Sequence, residues 1–223
     1  MKKEKIILSW SGGKDCAMAL YQLLRSEKYQ VTSLLTVLTE GYDRISMHGV
    51  PGALLQQQAK SIGLPLEKVY IPQQCSMEEY SARMLEKMRQ CIANGINTVA
   101  FGDIFLEDLR KQREDNLNKI SMQAIFPLWK KNTLDLAHEF IEKGFKTIIT
   151  CCDSKCFDKP IAGRIFNKSF LSQLPAGIDP CGENGEFHSF VFDGPIFETP
   201  LSFTVGQTVL RDNRFHFCDL IPK

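Results

Sequence analysis

The chain lacks the features that would place it in a membrane, outside the cell or on a nucleic acid. No apolar run approaches the ~20 residues that a membrane-spanning helix requires. The segment Met1–Lys5 leads directly into a short strand-like run, not into the apolar core of a signal peptide. The formal net charge of +1 at neutral pH provides no basic excess of the kind typical of nucleic-acid-binding surfaces. These absences predict a cytoplasmic protein without membrane contact and disfavour a nucleic-acid partner.

The eight cysteines also lack the spacing of a zinc site. Five of them are scattered, and Cys151, Cys152 and Cys156 form a C-C-x-x-x-C cluster. Zinc sites usually show two C-x-x-C or Cys/His pairs at a defined separation, and cytosolic thiols stay reduced. The cluster therefore predicts neither a metal site nor a disulfide, and its role is open at this level.

Strand-like and helix-like segments alternate through the first two-thirds of the chain. The strand-like segments are apolar throughout, as expected of a parallel sheet covered by helices on both faces. We predict strands at Lys5–Trp10, Val31–Val37, Glu67–Ile71, Thr98–Gly102, Gln123–Pro127 and Thr147–Cys151. We predict helices at Lys14–Ser26, Gly52–Ile62, Met77–Asn94, Leu106–Met122 and Thr133–Lys143. This alternation predicts an α/β fold with a doubly wound, mostly parallel sheet.

The pattern changes after Cys152. A short helix is predicted within Gly163–Leu171, and a loop rich in proline and glycine follows at Leu174–Gly182. Strand-like runs then occur at Glu186–Phe192, Leu201–Val205 and Phe215–Leu220. We therefore divide the chain into a domain at 1–152 and a smaller C-terminal α+β part at 153–223.

The segment S-W-S-G-G-K-D-C, residues 9–16, joins the first predicted strand to the first helix and has the composition of a phosphate-binding loop. Gly12 and Gly13 allow a sharp turn and a close approach of the backbone to a phosphate. Lys14 supplies positive charge, and Asp15 supplies a carboxylate able to hold Mg²⁺. The following helix adds the positive end of its dipole.

This loop resembles the S-G-G-K-D-[ST] loop of the PP-loop ATP pyrophosphatases, which cleave ATP to AMP and pyrophosphate. It has neither the G-x-x-x-x-G-K-[ST] spacing of kinases and GTPases nor the G-x-G-x-x-G dinucleotide fingerprint. Cys16 stands where that family usually has a hydroxyl, and a thiol is the weaker hydrogen-bond donor.

Two further positions lie where parallel strands are predicted to end. His48 belongs to a long connection, residues 38–49, after the second strand, and Gly102 and Asp103 follow the fourth strand. Ligands on doubly wound sheets bind at these strand ends, so His48, Gly102 and Asp103 are candidate site residues. Asp103 is equally compatible with a helix cap, and the charges from Glu107 to Glu114 are typical of a solvated helix face.

The run D-P-C-G-E-N-G-E-F-H, residues 179–188, is dense in functional residue types. Glu183 and Glu186 supply carboxylates that can orient an ammonium ion, accept its proton or bind Mg²⁺. Taken alone, the run is equally compatible with a turn shaped by glycines and bearing exposed charges.

This run, together with D-G-P at 193–195, resembles the D-P-x-G-E-x-G-E-[FY] sequence motif of the diphthine–ammonia ligase family. M-H-G at 47–49, G-D-I at 102–104 and P-L-W at 127–129 match the same family, and the similarity spans Lys5 to about Phe197. The resemblance implies a PP-loop, Rossmann-like domain that binds ATP, a C-terminal part that binds the substrate, and a ligation site in the cleft between them.

The resemblance also implies a reaction in which ATP activates a carboxylate as its adenylate and ammonium converts it to an amide. AMP and pyrophosphate leave, and the family acceptor is diphthine on elongation factor 2. Glu183 and Glu186 would bind or deprotonate ammonium, with Asp103 and His48 as further catalytic candidates and Asp15 as the ligand of Mg²⁺. The chain contains no glutaminase segment, so free ammonium is the expected nitrogen source. The residues implied in ATP binding are Ser9, Ser11, Gly12, Gly13, Lys14, Asp15 and Gly102.

Several alternatives stay open. One is a PP-loop enzyme that modifies tRNA, such as a thiolase or a lysidine-type ligase. Another is a nucleotide-binding module without catalysis, although such a module would not need Lys14, Asp15, Glu183 and Glu186 together. The form of the 179–188 run resembles members of the family from bacteria, which lack diphthamide, so a different acceptor carboxylate is also open. A homodimer is open as an alternative to a monomer.

Overall fold

The computed structural model describes residues 2–45 and 49–223. A parallel sheet is built from β1 (Glu4–Ser9), β2 (Tyr29–Thr39), β3 (Leu66–Ile71), β4 (Thr98–Ala100) and β5 (Gln123–Ile125). The strand order is β3-β2-β1-β4-β5, and all four neighbouring pairs are parallel. The predicted α/β class with a doubly wound parallel sheet is confirmed.

Five helices connect these strands or follow them: α1 (Lys14–Leu24), α2 (Gly52–Ile62), α3 (Met77–Ala93), α4 (Glu107–Asn118) and α5 (Thr133–Glu142). Local signals explain several of their ends. Helix α2 stops at Gly63, which adopts the left-handed conformation at φ 78°. Helix α3 starts with a capping box in which the side chains of Ser76 and Glu79 each accept a hydrogen bond from the other's backbone N–H. Helix α4 ends four residues earlier than predicted.

The two faces of the parallel sheet pack into different hydrophobic clusters. Ile6 and Leu8 of β1 belong to the larger cluster, whereas Ile7 between them packs with residues such as Leu35 and Val69 in the other. Successive side chains of a strand point to opposite faces, so a strand buried on both sides must be apolar at every position. This explains the uninterrupted apolar run of β1.

A second, antiparallel sheet consists of β6 (Lys146–Asp153), β7 (Phe187–Asp193), β8 (Phe203–Arg211) and β9 (Phe215–Pro222), in the order β7-β6-β9-β8. A short helix, α6 (Lys168–Leu171), lies between β6 and β7. The sequence assigned β6 to the parallel sheet, and that assignment is wrong. Every residue of β6 after Lys146 is buried, so its apolar pattern does not distinguish a parallel from an antiparallel neighbour. The division of the chain at residue 152 stays a prediction.

The side chain of Gln58, on α2, connects the two sheets where the 9–16 loop meets β7. Its Nε2 donates to the carbonyl oxygens of Gly12, at 3.0 Å, and Val191, at 2.6 Å. Its Oε1 accepts from Nε1 of Trp10 at 2.9 Å. The backbone N–H of Val191 also donates to the carbonyl oxygen of Gly12. The fully buried Gln58 therefore fixes the loop against the antiparallel sheet.

Two other observations bear on the sequence-based expectations. Within the described ranges, no helix combines the length and the apolar character needed to cross a bilayer.

All eight cysteines are free thiols, and Cys151 and Cys152 are buried in β6.

Replacing Gln58 by Met should destabilise the protein, because methionine has a similar volume but leaves three buried polar groups without this partner. The carbonyl oxygen of Gly12 keeps the N–H of Val191 as a donor, so two groups lose this partner without that compensation. We expect the free energy of unfolding to fall by roughly 2–6 kcal/mol, since each buried group left unsatisfied costs about 1–3 kcal/mol. Urea unfolding measures the change. Gln56→Met, on an exposed position of the same helix, is the matched control and should have little effect. Equal stability of the two variants would contradict the proposed connection.

Candidate functional site

A cleft of about 270 Å³ opens at the carboxyl ends of β1 and β4, beside β7 and the segment before it. Ligands on open α/β sheets bind at this end of the strands. The cleft is lined by Ser9, Ser11, Gly13, Lys14, Asp15, Cys16, Phe101, Gly102, Asp103, Leu106, Leu109, Arg113, Gly182, Glu183, Gly185, Phe187, His188 and Ser189. Residues far apart in the chain thus surround one space.

The turn of the 9–16 loop depends on glycine at position 12. Gly12 has φ 77°, and a Cβ there would lie 2.7 Å from Oε1 of Gln58 and 2.7 Å from Cδ2 of Leu55. Both the conformation and the packing therefore exclude a larger residue. Gly12 does not line the cleft, whereas Ser11 and Gly13 on either side of it do. Its contribution is therefore to the conformation of the loop.

Cys16 takes part in the loop through its thiol. The Sγ atom donates to the carbonyl oxygen of Gly13 at 3.0 Å and lies 3.4 Å from Oγ of Ser11. Burial raises the pKa of this thiol, against the opposing effect of the hydrogen bond with Ser11, so the thiol stays protonated at neutral pH. In this structure Cys16 holds the turn together at the position where a hydroxyl was expected.

Lys14, the first residue of α1, is buried with its ammonium group fully engaged. Nζ lies 2.8 Å from Oδ2 of Asp15, donates to the carbonyl oxygen of Cys181, and lies 5.5 Å from the centre of the Phe187 ring. Its backbone N–H donates to Oγ of Ser189 at 3.2 Å. Burial lowers the pKa of Lys14, but the charges of Asp15 and its neighbours outweigh burial and hold the pKa above its ordinary value.

Asp15 lines the cleft with its side chain 28% exposed. Burial raises the pKa of this carboxyl, and the neighbouring ammonium of Lys14 opposes the rise. A partly exposed carboxylate in this cleft fits the requirement of Mg²⁺, which binds through one or two carboxylates and keeps other positions for phosphates and water.

Gly102 and Asp103, both predicted site residues, lie in the cleft as expected from their position after β4. A Cβ on Gly102 would lie 2.9 Å from the backbone nitrogen of Cys16, so glycine permits the start of α1 to approach this strand end. Asp103 does not cap α4. Its Oδ2 lies 2.6 Å from Nε of Arg113, in an ion pair whose alignment falls short of a hydrogen bond, and its Oδ1 accepts from Nη2 at 3.2 Å. Burial raises the pKa of Asp103, and Arg113 opposes the rise.

The side chain of Glu183 reaches across the cleft to the loop after β4. Its Oε1 accepts from the backbone N–H of Ile104 at 2.7 Å, with a longer contact of 3.4 Å to that of Phe105. Burial raises its pKa to about 7, and the bond from Ile104 opposes that shift. Glu183 is therefore a carboxyl group in the cleft that exchanges a proton near neutral pH.

Glu186 lies outside the cleft lining. Its Oε1 accepts from the backbone N–H of Asp179 at 3.1 Å and from Nδ2 of Asn184 at 3.0 Å. Its Oε2 is buried without a hydrogen-bond partner among the described residues. The two carboxylates of the 179–188 run thus differ: Glu183 enters the cleft, whereas Glu186 holds the turn that carries it.

Sequence reasoning did not select several residues of the cleft. Leu109 and Arg113 lie four residues apart and share the face of α4 that lines the cleft, and Leu106 precedes the helix on the same side. This spacing is a signal that the sequence contains. His188 and Ser189 come from β7, and only the three-dimensional structure brings them to Lys14. Burial, followed by the charge of Lys14, lowers the pKa of His188 to about 4, so its imidazole is neutral at neutral pH.

The remaining predicted candidate, His48, lies outside the described residues. Within the described ranges, no group of three or more His, Cys, Asp or Glu side chains is arranged to hold a metal ion. Binding of Mg²⁺ by Asp15 would therefore need ligands from the bound nucleotide and from water.

Comparison with known proteins identifies the family. The family model described as "Diphthamide synthase N-terminal domain" matches residues 4–124, and "Diphthamide synthase C-terminal domain" matches residues 132–217. The chain belongs to the diphthamide synthase family. The first of these matches contains the 9–16 loop and Asp103, and the second contains Glu183 and Glu186, so the cleft is formed by both family domains.

Curated relatives carry the name diphthine–ammonia ligase. The mouse protein is 26% identical over 90% of this chain and 83% of its own length, and the human protein is 25% identical over the same shares. The fission yeast protein is 22% identical over 92% of this chain and 37% of its own length. Among solved structures, a U34-tRNA thiolase from Methanococcus maripaludis matches 64% of this chain and 58% of its own, at 16% identity and a TM-score of 0.38. That similarity is too slight to support an argument.

The raised pKa of Glu183 predicts a pH-dependent cost to stability. A carboxyl whose pKa is about 7 in the folded state and 4.5 ordinarily binds its proton more tightly when folded, so stability is lost as pH rises from 4.5 to about 7. Glu183→Gln keeps an acceptor for Ile104 without the charge. It should be more stable than the natural chain at pH 8, by a margin that shrinks as pH falls below 7.

Thermal or urea unfolding at pH 8, 7, 6 and 5 measures that margin. Glu107→Gln, at an exposed carboxylate of α4, is the control and should show no comparable trend. A margin for Glu183→Gln that does not change with pH would contradict the shifted pKa.

Proposed function

We propose that this protein is an ATP-dependent ligase that forms an amide by adenylating a carboxylate and aminating it with ammonium, releasing AMP and pyrophosphate. The observation that carries the proposal is the placement of Glu183, with a pKa near 7, in the same cleft as the 9–16 loop. A carboxyl group with a pKa near 7 suits proton transfer at neutral pH, and a loop at the start of a helix suits a nucleotide phosphate. The names of the relatives support the same reaction class.

In this proposal the loop binds the phosphates of ATP. Ser9, Ser11 and Gly13 line the cleft at the beginning of α1, where backbone N–H groups and the helix dipole favour an anion. Lys14 supplies a positive charge that its raised pKa keeps protonated. Asp15 would hold Mg²⁺ against the phosphates, which neutralises the charge of the leaving pyrophosphate.

The reaction has two steps. An oxygen of the acceptor carboxylate attacks the α-phosphorus of ATP, and the bond to pyrophosphate breaks, which leaves an acyl adenylate. The nitrogen of ammonia then attacks the acyl carbon, and the bond to AMP breaks. Glu183 accepts a proton from the attacking nitrogen in this second step. Catalysis comes chiefly from positioning and charge neutralisation, so no covalent bond to the protein is needed.

We assign Glu186 a positioning function in this scheme, because its carboxylate holds the backbone of Asp179 and the side chain of Asn184 rather than lining the cleft. The proposed acceptor is diphthine, following the names of the relatives, or a related carboxylate. Elongation factor 2 as the carrier of diphthine follows from the family resemblance of the sequence. Free ammonium is the proposed nitrogen source: it loses one proton to the solvent to give the ammonia that attacks, and the second proton passes to Glu183.

The direct test is an analysis of products after incubation with ATP, Mg²⁺ and ammonium, with and without elongation factor 2 bearing diphthine. We expect AMP and pyrophosphate in equal amounts, formed only with the factor. ADP and phosphate would place the cleavage at the wrong phosphorus and refute the mechanism. Binding of ATP without formation of AMP would refute diphthine as the acceptor.

Lys14→Met tests the nucleotide site. The variant keeps side-chain bulk but loses the positive charge beside the loop, and we expect ATP affinity to fall roughly 10- to 100-fold, which corresponds to about 1.4–2.7 kcal/mol of charge attraction. Calorimetric titration with ATP and Mg²⁺ measures the affinity, and circular dichroism confirms folding. Lys28→Met, at an exposed lysine, is the control. Unchanged affinity in a folded Lys14→Met protein would exclude the loop as the phosphate site.

The pH dependence of turnover tests Glu183 as the base. Only its deprotonated form accepts a proton, so kcat/KM should rise with pH to a plateau above about 7 when the concentration of free ammonia is held constant. Glu183→Gln should lose turnover and retain ATP binding. If a residual rate in that variant shows the same rise with pH, another group is responsible for it.

A further inference from the structure

Arg113 is a charged residue of the cleft wall that the proposed reaction has not used. Its guanidinium group lies 4.2 Å from the centre of the Phe101 ring and is paired with Asp103, and its side chain is 29% exposed. Stacking on the ring and pairing along one edge hold the planar group in a fixed orientation. Such a group is pre-organised for a planar anion.

The balance of charges in the cleft indicates which ligand this guanidinium serves. The lining contains three carboxylates, those of Asp15, Asp103 and Glu183, and two cations, Lys14 and Arg113. Lys14 is only 3% exposed and already engages Asp15 and the carbonyl oxygen of Cys181. An anionic substrate that approaches through this acidic lining therefore meets Arg113 as the more exposed cation.

The contacts of the Arg113 guanidinium group with Asp103 do not use all of its nitrogen atoms. The ion pair with Asp103 uses Nε and Nη2, so Nη1 lies outside that pair. A guanidinium donates through several N–H groups in a fixed fork, and carboxylates are its preferred partners. Asp103 thus orients the group without using all of its donors.

We propose that Arg113 binds the carboxylate of the acceptor and holds it for attack on ATP, making the Arg113–Asp103 pair an acceptor subsite beside the nucleotide loop. The proposal rests on the proposed function and adds the residue that selects an anionic acceptor. Leu109 of α4 and Leu106, which directly precedes that helix, provide an apolar wall for the carbon chain next to that carboxylate.

The first experiment separates acceptor binding from nucleotide binding. Arg113→Gln is titrated with α,β-methylene ATP, and its AMP formation is measured against elongation factor 2 bearing diphthine. We expect nucleotide affinity within about twofold of the natural chain and a KM for the acceptor raised roughly 10- to 100-fold, the value of one charge-assisted hydrogen bond. Arg113→Lys should recover only part of the loss, because an ammonium group lacks the planar fork.

Lys111→Gln is the matched control. It removes one positive charge from the same helix, at a side chain that is 73% exposed and paired with Asp115. Equal effects of Arg113→Gln and Lys111→Gln would overturn the proposal, as would a loss of nucleotide affinity in Arg113→Gln as large as its loss of acceptor affinity.

The second experiment does not depend on the identity of the acceptor. Phenylglyoxal modifies accessible guanidinium groups, and mass spectrometry of peptides measures its rate at Arg113 in the complex with α,β-methylene ATP. Propionate is added as a carboxylate probe, and propionamide as its neutral match. We expect propionate to slow the modification of Arg113 at least about threefold more than propionamide does, since only the anion forms a charge-assisted pair.

The two experiments distinguish failure of this inference from failure of the proposed function. If the natural chain forms no AMP with the factor but propionate protects Arg113 selectively, the choice of acceptor is wrong and the carboxylate subsite stands. If propionate and propionamide protect equally, the subsite is refuted whatever the factor does. Full protection by the nucleotide analogue alone would assign Arg113 to ATP and also refute it.

Discussion

The burial of the Lys14 ammonium group is the constraint on which the site depends. A charge removed from water must be compensated by nearby partners, and here they are the carboxylate of Asp15 and the carbonyl oxygen of Cys181. The first partner belongs to α1 and the second to the segment that precedes β7. The 9–16 loop and the segment before β7 therefore cannot take up their native positions independently of each other.

Close backbone approaches reinforce this arrangement. Gly12 lies against Gln58, and Gly102 lies against the start of α1 at a distance that leaves no room for a Cβ. Gln58 satisfies carbonyl oxygens of the loop and of β7 with the two hydrogens of one amide group. The cleft is consequently formed by parts of both sheets, and a change in their packing would alter the site directly.

The same packing gives chemically similar residues different environments. Glu183 and Glu186 are three residues apart, yet one lines the cleft with a raised pKa and the other holds a turn. Lys14 is enclosed, whereas Arg113 is stacked on a ring at the cleft wall and partly exposed. Burial and neighbours, rather than residue type, thus set the exposure and the pKa of these side chains, and the roles proposed for them follow from those differences.

The sequence by itself determined the features that depend on neighbouring residues. These features include the strands of the parallel sheet, the helices that pack on it, the ends of helices at residues such as Gly63, and the turn at Gly12. Local conformation and apolar periodicity depend on residues a few positions apart, so the sequence contains them directly. Only the tertiary structure decided that β6 joins the antiparallel sheet, since a fully buried strand has the same pattern in either sheet. It also decided that Asp103 pairs with Arg113 and that Glu186 lies outside the cleft lining. These outcomes depend on the free energies of contacts between segments that are distant in the chain. A local sequence pattern carries no information about those contacts.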